Sequence, residues 1–297
     1  MWILLALLSS FFLGFYDVAK KTSLKENAVI PVLFFASAAG ALIFIPLIIL
    51  SQLNIIPEAS MVYVPSIAAK THFLIFLKSM LVGASWYFAY VALKYLPLTI
   101  VTPIRATGPL WTLIGALIIY KEEYTIWQWL GIITILIFFY IFSLAGLKEG
   151  ISFKRNKWIY AIIIATMLGA CSGLYDKYLL ANFQPMAVQP WFSIYLIPVF
   201  LPFLLFIWFP KRKSSSPFVW RHTIILIGVL LTFADFAYFK ALAYNDSLIA
   251  IISVLRRTSV IIAFIAGAII FKEINIKRKA FALLGILAGV LMIALGS

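Results

Sequence analysis

Runs of about 18 or more apolar residues recur along the whole chain, and no charged side chain interrupts residues 30–50. A helix rises 1.5 Å per residue, so about 20 apolar residues cross the roughly 30 Å hydrocarbon layer of a bilayer with every backbone hydrogen bond made inside the segment. The runs are continuous rather than alternating, which excludes a β-barrel. Composition agrees. Apolar residues make up 64% of the 297 positions and charged ones 11%, with a mean hydropathy of +1.07, whereas soluble domains are roughly half apolar and a quarter charged. The expected class is an all-α membrane protein.

Ten spans are expected, at about 1–19, 30–50, 71–93, 99–119 and 126–145, then 158–181, 188–209, 223–242, 248–271 and 280–295. The first begins Met1-Trp2-Ile3-Leu4 with no basic leader and no small-residue cleavage site before Asp17, so it reads as a retained helix. The longest connection, 51–70, has room for a short interfacial segment. The net charge of +14 does not point to nucleic acid, because the basic residues fall in short loops. Sixteen Lys and Arg side chains lie in the odd-numbered connections, among them Lys20, Lys21, Lys25, Lys154, Arg155 and Arg221. Three, Lys70, Lys121 and Lys240, lie in the even ones. The positive-inside rule then puts the odd loops in the cytoplasm and both termini outside.

The chain also reads as one unit written twice. Gly14-Phe15-Tyr16-Asp17 returns 159 positions later as Gly173-Leu174-Tyr175-Asp176, and Pro31 and Pro190 keep the same offset. Thr102-Pro103-Ile104-Arg105-Ala106-Thr107 aligns with Ser253-Val254-Leu255-Arg256-Arg257-Thr258 at an offset of 151, which Lys121-Glu122 and Lys272-Glu273 share. Residues 1–147 and 157–297 are therefore the expected halves, joined by a cytoplasmic linker at 148–156. Five spans per half is an odd number, so the second half enters the membrane from the opposite side. Inverted repeats of this kind build secondary transporters with a site near the midplane.

On these residues the chain resembles the ten-helix EamA-type members of the drug/metabolite transporter superfamily, over essentially its whole length. Each half has a glycine-bearing first helix, Ser10 to Asp17 and Ser172 to Asp176. Each fourth helix ends on a Lys-Glu pair, Tyr120-Lys121-Glu122 and Phe271-Lys272-Glu273. Two departures stand out: Leu13-Gly14 and Ser172-Gly173 occupy positions where relatives often have Trp-Gly, and Arg256-Arg257 where they often have proline. The resemblance implies transport across a cell membrane, a bacterial cytoplasmic membrane for many relatives. It does not specify a substrate.

Charges inside the spans are the candidate site residues. Arg105 lies roughly 9 Å along the fourth span, and Arg256 and Arg257 roughly 12 Å along the ninth. A charge at such depth costs about 2.5 to 3.5 kcal/mol on insertion scales. Thr102, Arg105 and Thr112 share one helix face, and Ser253, Arg256 and Ser259 share another, so the two faces are expected to meet in a shared interior. There Arg105 and Arg256 would hold an anionic group of a substrate through the planar guanidinium fork, or serve as structural charges paired with Asp176 or Asp235. Arg257 is about 100° round the helix from Arg256 and is expected to be a paired structural charge. Asp235, mid-way along the eighth span, is its expected counter-ion, or a proton-coupling carboxylate. Lys78 shares a face with Ser85 and Trp86, and either contacts a carboxylate or snorkels. Trp86, Tyr90 and Tyr238 are the candidate cavity aromatics.

Asp17 and Asp176 fall near the ends of their predicted helices beside Lys20, Lys21 and Lys177, where interfacial salt bridges are expected. Small faces at Ser10/Gly14, Gly169/Ser172/Gly173 and Gly285/Gly289 suit close helix packing. The fifth and tenth helices carry no internal charge and are candidates for scaffold or homodimer contacts.

Enzyme motifs are scarce. Gly169-Ala170-Cys171-Ser172-Gly173 resembles a nucleophile elbow only superficially, because it lies inside a membrane helix rather than at a strand-to-helix turn. With one cysteine and only His72 and His222, no metal constellation forms, and no phosphate-binding loop is present. No cofactor is expected. The sequence reads as a secondary transporter of a small polar or anionic metabolite, an exporter driven by exchange or proton coupling. The alternatives are a flippase of a lipid-linked substrate and a non-transporting membrane subunit.

Overall fold

The computed structural model describes residues 1–95, 104–105, 107–144, 156–212, 217–259, 261–262, 265 and 276–296. It is all-α, with ten helices among the described residues: α1 Trp2–Leu24, α2 Val29–Gln52, α3 Ala69–Tyr95, α4 Gly108–Tyr120, α5 Ile126–Leu144, α6 Lys157–Asn182, α7 Pro185–Lys211, α8 His222–Leu242, α9 Ile249–Leu255 and α10 Ile276–Leu295. Six of them, α1, α2, α3, α6, α7 and α8, are long and apolar enough to cross a membrane. The apolar segments Gly108–Tyr120, Ile126–Ile141 and Ala280–Leu295 are shorter. Ten full-length spans is thus more than the described residues carry. The expected linker 148–156, apart from Asn156, and the Lys272-Glu273 pair lie outside the described residues, as does most of the expected ninth span beyond Ser259.

Local chemistry sets several ends. Asn156 caps α6 by accepting from the Trp158 amide at 3.0 Å. Helix α4 finishes in a π-helical turn, Ala116–Tyr120, and stops at Lys121, which takes the left-handed conformation with φ of 51°. That conformation costs a non-glycine residue about 1–2 kcal/mol, and here it swings Glu122 inward. Helix α7 carries Pro190, Pro198 and Pro202 and passes from α-helix into a π turn at Phe203–Trp208, where the proline ring denies the regular ladder a donor. The 53–68 connection makes turns rather than an interfacial helix. Val64, whose amide donates to Ser51 Oγ at 3.0 Å, packs back on Phe44 and Met186.

The helices are patterned for lipid. On α1, Leu4, Leu8, Phe11 and Phe15 are exposed while Ala6, Ser9, Ser10 and Gly14 are buried. Large side chains face out and small ones face in, because helices in a bilayer gain little from apolar burial and associate by close packing. Main packing runs between the halves: α1 on α8, α3 on α6, α2 on α7 and α8, α3 on α7, α4 on α6 and α9, and α5 on α10. Where α2 crosses α8, a Cβ on Gly228 would meet the Ala36 carbonyl oxygen at 2.4 Å. Where α5 meets α10, one on Gly131 would lie 2.7 Å from the Gly289 carbonyl oxygen, and Gly285 rests on the Phe138 ring. The Gly285/Gly289 face is therefore occupied inside the chain, by α5.

Candidate functional site

The helices line a cavity of about 500 Å³ bordered by α1, α3, α4, α6, α8 and α9, with Phe139 of α5 and Phe192 of α7 also reaching it. Lys78, Trp86, Arg105, Asp235, Tyr238, Arg256 and Arg257 all border it. The Tyr90 side chain lies outside the described residues, as does Thr102. The two polar faces expected to meet do so: Arg105 and Thr112 come from the α4 region and Ser253, Arg256 and Ser259 from α9 and the 3-10 turn after it, with Ser253 Oγ donating to Thr112 Oγ1 at 3.5 Å. Trp86 stacks on Phe200 with ring centroids 5.8 Å apart.

The ion pairs differ from those expected. Arg256 Nη2 donates to Asp235 Oδ1 at 3.0 Å, and its guanidinium lies 4.1 Å from the centre of the Tyr238 ring. Asp235 is thus the counter-ion of Arg256 rather than of Arg257. Helix α9 ends at Leu255, and Arg256–Ser259 form a 3-10 turn. The tighter winding sends the two guanidinium groups to different walls of one cavity. Arg257 reaches Gly108, where a Cβ would sit 3.2 Å from its Nη2. It also lies within electrostatic reach of Asp17 and Arg105. Its Nε is buried and makes no hydrogen bond among the described residues.

Asp17 and Asp176 are not at the ends of their helices. Helix α1 runs seven residues past Asp17 and α6 six past Asp176, roughly 10 Å of further helix in each case, and both aspartates line the cavity. Asp176 forms an ion pair with Lys78, the two side chains being 6% and 3% exposed, and accepts from Tyr238 Oη at 3.2 Å. Lys78 is therefore buried rather than snorkelled, its ammonium 4.1 Å from the centre of the Phe192 ring and 5.2 Å from that of Phe239. The sequence reading missed Asp17, Asp176, Phe192, Phe239 and Lys20 as cavity residues. The signal for the two aspartates was present: the repeated Gly-x-Tyr-Asp sits on faces of small residues, Ser10/Gly14 and Ser172/Gly173, that admit neighbouring helices.

A second polar cluster ties the end of α4 to α6 and to the start of α9. The buried Glu122 carboxylate accepts from Lys177 Nζ, from Tyr124 Oη and, at 2.9 Å, from the Ile249 amide. Lys177 also donates to the Ser247 carbonyl at 2.8 Å, and Tyr120 Oη donates to the Leu174 carbonyl at 2.6 Å. Lys177 thus pairs with Glu122 and not with its chain neighbour Asp176. Burial, followed by the hydrogen bond to Glu122, pushes the Tyr124 phenol above its ordinary pKa. Among the described residues, no three His, Cys, Asp or Glu side chains gather as a metal site.

A model of the EamA-like transporter family matches residues 1–144 and 156–295. A solved crystal structure superposes with a TM-score of 0.73 over 99% of this chain and 96% of its own, at 13% identity, a likeness that speaks to the fold alone. No curated protein matches the chain. With a family model covering nearly its full length, this chain belongs to the EamA-like transporter family, within the drug/metabolite transporter superfamily.

Proposed function

We propose that the protein is a secondary exporter of a small polar or anionic metabolite, working by alternating access around the central cavity, with both termini outside. The observation that carries the reading is the cavity itself: about 500 Å³, within the range of small-ligand pockets, holding five cationic and three acidic side chains among the described residues. Interior charges are costly in a bilayer and mark solute or proton pathways. In this reading Arg105 and Arg256, with Lys78, Trp86 and Tyr238, contact the solute. The Arg256–Asp235 and Lys78–Asp176 pairs are the places where a proton or substrate charge can exchange with an internal one. The buried Nε of Arg257, without a hydrogen-bond partner among the described residues, and the size of the cavity argue against a non-transporting subunit, whose interior charges would satisfy one another.

The inverted repeat belongs to the same proposal. Its support is that the helix packing is reciprocal: α1 on α8 answers α6 on α3, α2 on α8 answers α7 on α3, and α4 on α6 answers α9 on α1. The two stretches matched by the family model coincide with the halves. Rocking of one four-helix set against the other would then expose the cavity to each side in turn. The Glu122–Lys177–Tyr124 cluster is positioned to hold the end at 121–125 and 243–248 shut. The test is a thermal-shift screen of metabolites on purified protein, followed by exchange of the hits in proteoliposomes. The unsubstituted protein should exchange a hit faster than protein-free liposomes, and Arg256→Ala should abolish that exchange while remaining folded; background-level exchange by the unsubstituted protein, or full exchange by Arg256→Ala, contradicts the reading.

A further inference from the structure

We propose, building on the transport reading above, that the cavity is built for a solute with two negative charges beside an apolar or aromatic body, Arg105 and Arg257 forming the anion end. The lining charges divide into two groups. Lys78 is matched by Asp176 and Arg256 by Asp235, so that wall is neutral within itself. Across the cavity, Asp17 interacts most strongly with Lys20 and more weakly with Arg105 and Arg257. Among the described residues neither of these two guanidinium groups forms an ion pair, whereas Arg256, whose buried Nε is unpartnered like that of Arg257, has Asp235 as its counter-ion. Two like charges facing one cavity repel each other until an anion neutralises them. Two planar forks reaching one cavity from different elements suit a group with several acceptor oxygens.

The cavity lining also carries Trp86, with Phe192 and Phe239 beneath the Lys78 ammonium, which suits the apolar remainder of the solute. The shared chemistry is a dianion, supplied by a phosphate monoester or by a dicarboxylate. A monoanion would leave one guanidinium uncompensated, and a zwitterion both.

Titration calorimetry of the full chain in detergent at pH 8 tests this with phenyl phosphate, phenylsuccinate, benzoate and phenylalanine. One or both dianions should bind at least about tenfold tighter than benzoate and phenylalanine, the tighter of the two naming the chemistry. Phenyl phosphate should weaken toward pH 5, as its second proton returns near a pKa of about 6. Arg105→Gln and Arg257→Gln should each lower dianion affinity about tenfold or more. Arg257→Lys, which keeps the charge and loses the fork, should retain part of it in a protein with unchanged helical content. Equal or tighter binding of benzoate or phenylalanine, or no binding by any of the four, overturns the proposal. The two readings fail separately. Proteoliposome exchange of phenylalanine or benzoate would sink the dianion and keep the transporter, whereas dianion binding without exchange would do the reverse.

Discussion

Replacing Lys78 by methionine removes a charge from the most enclosed ion pair among the described residues while keeping side-chain length and apolar volume. The Lys78 and Asp176 side chains are 3% and 6% exposed, so bulk water cannot take over the lost partner. Asp176 would retain only its hydrogen bond from Tyr238 at 3.2 Å. Removing one member of such a pair costs about 3–5 kcal/mol, chiefly because the remaining charge is left buried and uncompensated. Lys78 also gives up its place over the Phe192 and Phe239 rings, a contribution of about 0.5–2 kcal/mol for a desolvated cation. Asp176→Asn should cost a comparable amount by stranding the ammonium. In Lys78→Met/Asp176→Asn no buried charge is left alone, and the amide can still accept from Tyr238, so the double variant should be more stable than either single one. Reversible unfolding in mixed micelles, read by circular dichroism across the four proteins, gives the coupling energy as a double-mutant cycle. A coupling of about 2 kcal/mol or more is expected. Strictly additive losses would show that the two side chains do not act as a pair and would refute the reasoning.

Other outcomes follow from the same geometry. Glu122→Gln keeps the shape of the side chain but weakens hydrogen bonds from Lys177, Tyr124 and the Ile249 amide, bonds to a charged group being worth about 1.5–3 kcal/mol; labelling of a cavity cysteine from the 121–125 side should rise about tenfold or more. Gly228→Ala should destabilise the fold by about 1–3 kcal/mol, since the new Cβ meets backbone on α2, while Gly173→Ala, whose nearest neighbour is Tyr238 Oη at 3.8 Å, should leave the melting temperature unchanged. The Tyr124 phenol, raised above its ordinary value by burial and by Glu122, favours the folded state fully below the unfolded pKa of about 10 and loses that contribution as pH climbs through the folded value. Its tyrosinate absorbance, read as the difference from Tyr124→Phe, should therefore be absent at pH 10.5 in folded protein and present after unfolding.

Membrane solvation made much of this legible in the sequence. Continuous apolar runs forecast every described helix within a few residues, except that α4 begins at Gly108 and α9 gives way to a 3-10 turn at Arg256. The family resemblance rested on the paired Gly-x-Tyr-Asp and Lys-Glu elements, and the charges that interrupted the apolar runs border one cavity. What stayed hidden was the partner of each charge. Depth along the expected helices places Asp17 and Asp176 near the interface; α1 in fact runs on to Leu24 rather than 19, which takes Asp17 off its end, whereas α6 ends at Asn182 as expected, and what depth alone does not show is that Asp176 faces the cavity and Lys78. The 100° step between Arg256 and Arg257 assumed a regular α-helix, and the 3-10 turn removes that assumption. Lys177 looked like the natural mate of Asp176 and instead turns to Glu122, which the left-handed Lys121 brings to it from 55 positions away.

Alternating access is the claim on which the functional account stands, and it can be tested without knowing the substrate. Ser253 borders the cavity, and Cys171 is the sole native thiol. Ser253→Cys in a Cys171→Ser background, reconstituted into oriented vesicles, can be labelled with a membrane-impermeant maleimide applied to one face at a time. The account predicts labelling from both faces, with the 121–125 face accelerated by Glu122→Gln. Labelling from neither face, or from one face alone in both backgrounds, would contradict it.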